Sequence, residues 1–167
     1  LRRFVDLEFR LPPANGKAYA KTLSDEFGIQ DFLNGRKGSD VSYAQGHVVE
    51  GMGSLAEIFN MSLRTQQQCM ARIKFALLST PAGEELLGLF VSALSAMKTV
   101  FPVEFAEFIN GALPAGKMID LVRHRRGGDD FLKSNYGTAI EAYLLYVQPN
   151  ETVASADRKS LLSMAAD

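Results

Sequence analysis

The front of the chain alternates. In residues 3–11, Val5, Leu7, Phe9 and Leu11 fall on one face, and Phe4, Asp6, Glu8 and Arg10 on the other. A period of two with one apolar face predicts a half-buried strand. Pro12 and Pro13 end it, because proline has no N–H to give to a ladder. A single strand cannot make a sheet. The pattern therefore calls for a partner strand outside this chain, in another copy, or elsewhere in the sequence.

Beyond the prolines the period changes to that of a helix. Asn15 is placed to cap a helix over about 17–27 that Gly28 closes, and the short run IQDFLN follows as a second. GRKGSD, residues 35–40, reads as a loop. Residues 41–59 carry His47, Val48, Leu55, Ile58 and Phe59 at helical spacing, but Gly46, Gly51 and Gly53 argue against an unbroken helix. The clearest helix is SLRTQQQCMARIKFALLS, residues 62–79. Ser62 is its cap, Cys69, Met70, Ile73 and Leu77 are its core stripe, and Pro81 is its stop. Further helices are expected over about 83–101, from Pro102 to Ile109, from Pro114 to Arg125 with Gly127 and Gly128 closing it, and over 134–147 and 155–165. The reading is a mainly α protein, a bundle of roughly seven to eight helices preceded by one N-terminal β-strand.

Composition narrows the function classes. The chain has 167 residues and is 47% apolar, with eleven Phe and no Trp, enough for a sizeable core. A net charge of −1 supplies no global field towards nucleic acid or an anionic membrane. The longest uncharged apolar run, residues 86–97, falls short of the roughly 20 residues that cross a bilayer. One cysteine, Cys69, excludes an internal disulfide and fits a reducing, cytoplasmic setting. With two histidines and that one cysteine, no metal site is expected from the chain alone.

The stretch GALPAGKM, residues 111–118, satisfies the phosphate-loop pattern G-x-x-x-x-G-K up to its last position. There a hydroxyl should bind Mg²⁺, and Met118 offers a thioether instead, a poor ligand for a hard cation. The loop also needs a strand in front of it, yet PVEFAEFIN has helical spacing. An ordinary connection between helices is the better reading, with Pro114 as a helix start.

Leu1-Arg2-Arg3-Phe4-Val5-Asp6-Leu7-Glu8-Phe9-Arg10-Leu11-Pro12, then Asp25-Glu26-Phe27-Gly28, then Met61-Ser62-Leu63-Arg64 and Gln66-Gln67-Gln68-Cys69 form a more informative series. It resembles the step from core to lid in AAA+-like ATPases, and more closely that of the KAP family of P-loop NTPases. The resemblance spans about the first 80 residues. It implies that residues 1–13 are the last strand of an absent or partner core, 14–80 a lid-like helical subdomain, and 81–167 a C-terminal helical extension. It also implies that the phosphate loop and metal-holding Asp lie upstream of Leu1, so that ATP and Mg²⁺ belong to a full-length parent. Arg64, at the start of a lid helix, would be the arginine that reaches the nucleotide's terminal phosphates. Arg2 and Arg3 are candidates for a sensor, or for a finger towards a neighbouring subunit. The expected function is that of a lid and helical portion, not catalytic alone, partnered by the upstream core or another copy of the chain. The alternative is a free-standing helical interaction module that pairs through its N-terminal strand.

Other candidates have plainer explanations. RHRRGGDD, residues 123–130, groups Arg123, Arg125 and Arg126 as a candidate anion patch. Cations also suit a helix C-terminus, and Asp129 and Asp130 offset them. Nucleic acid is a poor third reading at this net charge. His47 and Cys69 fall on apolar faces and read as core. Glu84 with Glu85, or Glu104 with Glu107, could pair as acid and base, but Glu84 and Glu85 fit a helix start and nothing makes a catalytic pair the better reading. Phe90, Phe101, Phe105, Phe108, Tyr136, Tyr143 and Tyr146 read mainly as core, with Tyr143 or Tyr146 directing a hydroxyl outward.

Overall fold

The computed structural model describes residues 16–34, 41–81 and 87–147. The expected strand over residues 3–11 and the helix over 155–165 lie outside the described residues. Within them the chain is mainly helical: α1 Gly16–Glu26, α2 Ile29–Asn34, α3 Val41–Ile58, α4 Leu63–Ser79, α5 Gly88–Val100, α6 Pro102–Ile109, α7 Ala115–Arg123, α8 Gly128–Leu132 and α9 Asn135–Val147.

Helix α4 forms as its spacing dictates. Thr65 N–H donates to the Ser62 hydroxyl at 3.1 Å, and Gln66, Cys69, Met70, Ile73 and Leu77 are its buried residues. Helix α3 departs from expectation, because it runs unbroken through all three glycines. Tertiary packing is the reason. A Cβ on Gly53 would stand 2.7 Å from Lys17 Cα, and one on Gly16 would stand 2.7 Å from the Gly53 carbonyl oxygen. The glycines let α1 and α3 cross with their backbones nearly touching, and the close packing there offsets the loss of helix propensity. Lys17 and Glu50 fasten the same crossing with a 2.6 Å ion pair. A Cβ on Gly51 would meet the Leu89 side chain at 2.8 Å, so α5 also lies close along α3.

Two buried clusters result. One joins α1 to α4 around Leu23, Ile29, Met52, Met70, Ile73 and Leu77. The other joins the end of α3 to α5–α9 around Phe59, Met97, Phe101, Met118, Ile140 and Leu144. Helix α5 packs on both α3 and α4 and stitches the clusters together. Its small polar residues make the seam: Ser95 Oγ donates to the Cys69 carbonyl at 3.0 Å, and Ser92 Oγ donates to the Gly88 carbonyl at 2.8 Å and reaches that of Val48 at 3.4 Å.

Helix α8 is an addition to the elements expected from spacing. Gly127, with φ of 78°, ends the turn after α7 as anticipated, but Gly128 then begins α8 against the Val122 carbonyl, where a Cβ has no room. Five residues are too few for periodicity to register. Among the described residues no helix is long and apolar enough to cross a membrane.

Candidate functional site

The phosphate-loop lookalike is the end of one helix and the start of the next. Gly111, with φ of 75°, is the left-handed residue that closes α6. Its N–H donates to the Phe108 carbonyl at 3.0 Å, and Ala112 N–H donates to that of Glu107 at 2.8 Å. This is the Schellman arrangement. Leu113 N–H also goes to Glu107, and Lys117 N–H to Pro114 at 3.0 Å. The N–H groups of Gly111, Ala112, Leu113, Lys117 and Met118, which a phosphate loop would turn towards its anion, are thus engaged by carbonyls. Met118 is fully buried, and Pro114 stands at the N-cap of α7, which begins at Ala115, one place after its expected start.

The arginines of residues 123–126 do not converge. Arg123 holds Asp120 at 2.7 Å and lies 3.9 Å from Asp129. Arg125 sits over the Phe101 ring, 5.1 Å from its centroid, in cation–π geometry. Arg126 is exposed. His124 caps the end of α7, its Nδ1 2.6 Å from the Asp120 carbonyl, an arrangement in which that nitrogen carries the proton and donates. Asp129 also takes Lys133 at 2.5 Å, and this hydrogen bond, followed by the lysine's charge, lowers the Asp129 pKa below the ordinary carboxylate value. A shallow cleft of about 310 Å³ between α7 and α9 is lined by Lys117, Asp120, Arg123 and Glu141, so its two cations face two acids.

Arg64 occupies the second position of α4 and is exposed, with Gln68 and Arg72 on the same face. It makes no ion pair among the described residues. Arg2, Arg3, Glu84 and Glu85 lie outside the described residues. Glu104 and Glu107 stand on α6, the first partly buried and the second exposed. His47 is half-buried and meets Tyr136 edge to face at 6.0 Å. Cys69 is fully buried, and its thiol donates to Thr99 Oγ1 at 3.4 Å. Desolvation pushes its pKa up, against a smaller opposite effect of the Thr99 hydrogen bond. A thiol held protonated and out of contact with solvent is a packing group rather than a nucleophile. Among the described residues no three His, Cys, Asp or Glu side chains cluster as metal ligands do.

Apolar exposure on α4 and α6 is a feature that the motif reading missed. Phe75 is 73% exposed, Val103 66% and Ile109 61%. The signal was present for Phe75, since it lies off the stripe of Cys69, Met70, Ile73 and Leu77, on the face that stripe leaves outward. For α6 no such signal existed, because which side of an eight-residue apolar helix is covered depends on its neighbours. Between these helices runs a groove of about 360 Å³, lined by Arg72, Lys98, Pro102, Phe105, Ala106 and Ile109 among others. Comparison of the chain with protein-family models, curated proteins and solved structures finds no match in any of the three.

Proposed function

We propose that these helices are the lid and C-terminal helical portion of a KAP-like P-loop ATPase, acting on a nucleotide held by an upstream core and not catalytic alone. The observation that carries the reading is Arg64. It is an exposed guanidinium without an ion pair among the described residues, on the first turn of a capped helix buried along its opposite face. Such a side chain has a fixed base and a free head, which suits contact with the terminal phosphates of a nucleotide presented by another domain. The residues of this chain that mimic a phosphate loop do not fit that role, so ATP and Mg²⁺ would be held by the upstream core.

The test uses the protein together with its upstream core. Arg64→Ala is expected to lower ATP turnover by about a hundredfold, in line with the loss of one charge-stabilising donor. The thermal midpoint should hold, because the side chain is exposed. Unchanged turnover would return Arg64 to the class of solvated surface arginines. A second reading, a helical interaction module, draws its support from the apolar exposure of Phe75, Val103 and Ile109. It predicts self-association or partner capture that loss of residues 3–11 abolishes.

A further inference from the structure

The groove between α4 and α6 combines two properties that are independent of the lid reading. Its floor and far wall are apolar: Pro102, Phe105, Ala106 and Ile109 come from one face of α6. Its other lining residues include two exposed cations, Arg72 from α4 and Lys98 from the last turn of α5. Among the described residues neither cation has an ion pair and no acidic side chain lines the groove. A chain with net charge −1 therefore keeps a locally cationic, apolar trough. The acids of α6 do not cancel it, since at about 100° per residue Glu104 and Glu107 fall on the side of α6 away from the residues it gives to the lining.

An exposed aromatic side chain neighbours Arg72 on α4. Phe75 is three residues beyond Arg72, a neighbouring position on the surface of α4, and its ring is 73% exposed. Leaving such a ring in water has no benefit to the isolated fold, and apolar exposure beside an apolar groove marks a contact surface. The flanking charges select what covers it. A basic or purely apolar segment would leave Arg72 and Lys98 desolvated without a counter-charge, which is costly. An apolar ridge with acidic neighbours satisfies both requirements at once.

We propose that this groove docks an acidic amphipathic helix of a partner protein, its apolar ridge on Phe105 and Ile109 and its carboxylates on Arg72 and Lys98. The site lies about 12 Å along α4 from Arg64 at 1.5 Å per residue, so it is separate from the nucleotide contact proposed above. The experiment uses the whole chain and two labelled helical peptides of about 16 residues, with Leu at i, i+4 and i+7 flanked by Glu in one and by Lys in the other. The Glu peptide should bind about tenfold tighter than its Lys twin at low salt, the scale of two exposed ion pairs. Arg72→Glu with Lys98→Glu should remove or invert the preference, and Ile109→Ser should weaken the Glu peptide while leaving the melting midpoint in place. All three positions are exposed, so the variants are expected to fold. Failure of the Glu peptide to bind, equal binding of both peptides, or a preference that survives charge reversal overturns the proposal. A dimer of the chain that Ile109→Ser dissociates also overturns it, in favour of a second copy as the occupant.

Discussion

Burial sets the chemistry of Cys69. Its thiol pKa lies above the ordinary value because the thiolate would lose hydration on the α4–α5 seam. A raised folded pKa gives a definite sign: the associated stability is complete below the unfolded pKa and is lost as pH rises through the folded one. From about pH 8.5 upward the unfolded thiol ionises while the folded one stays protonated. The stability of the wild-type protein should therefore fall more steeply between neutral and alkaline pH than that of Cys69→Ala, as read by denaturant midpoints across the range. Modification by a thiol reagent should likewise be slow in the native protein and fast once it is unfolded. Rapid native labelling would contradict the buried placement. The spacing of Cys69 with Met70, Ile73 and Leu77 already put the thiol on the core stripe. The Thr99 and Ser95 partners could not be read there, because they stand on another helix.

At the scale of elements, α3 separates two kinds of glycine. Gly53 has no room for a methyl group because the α1 backbone occupies it, whereas among the described residues nothing beyond its own stretch of helix comes within 4 Å of the Cβ position at Gly46. Gly53→Ala should destabilise by about 2 kcal/mol, the cost of overpacking a backbone contact that cannot yield. Gly46→Ala should stabilise by about 0.5–1 kcal/mol through helix propensity alone. Thermal melts of the two variants decide the matter, and equal effects would show that the α1–α3 crossing relaxes. The same pair explains why glycine content misled the reading of residues 41–59. Propensity treats each glycine as a helix weakener, and only the crossing partner reveals which of them are points of close approach.

For the whole molecule the important element is α5. Its Leu89 and Ser92 meet α3 at Gly51 and Val48, its Ser95 holds Cys69 on α4, and its Ala93, Ala96 and Met97 enter the second cluster. A piece ending at Pro81, which would correspond to the lid-like unit expected over 14–80, leaves Leu55, Phe59 and Cys69 uncovered. Burial of each large apolar side chain contributes about 1.5–3 kcal/mol. Losing several of them removes most of the roughly 5–15 kcal/mol that holds a domain together. Such a piece should show no cooperative thermal transition, while a chain that includes α5 through α9 should melt in a single step. A cooperative melt of the short piece would make residues 14–80 an independent unit after all.

The sequence by itself determined the helical class, the ends of α4 and α6, and the dismissal of GALPAGKM as a phosphate loop. Those features rest on local physics: a serine cap, a proline start, a left-handed glycine stop and an apolar stripe of period 3.6 act within one or two turns. Tertiary structure alone decided that α3 runs unbroken and that Gly128 begins a short α8. It also dispersed the arginines of residues 123–126 to separate surroundings and left a cationic apolar groove between α4 and α6. Each of these depends on which backbone or side chain arrives from a distant part of the chain. Periodicity within a segment carries no record of that arrival, because the interaction energy resides in the pair and not in either member.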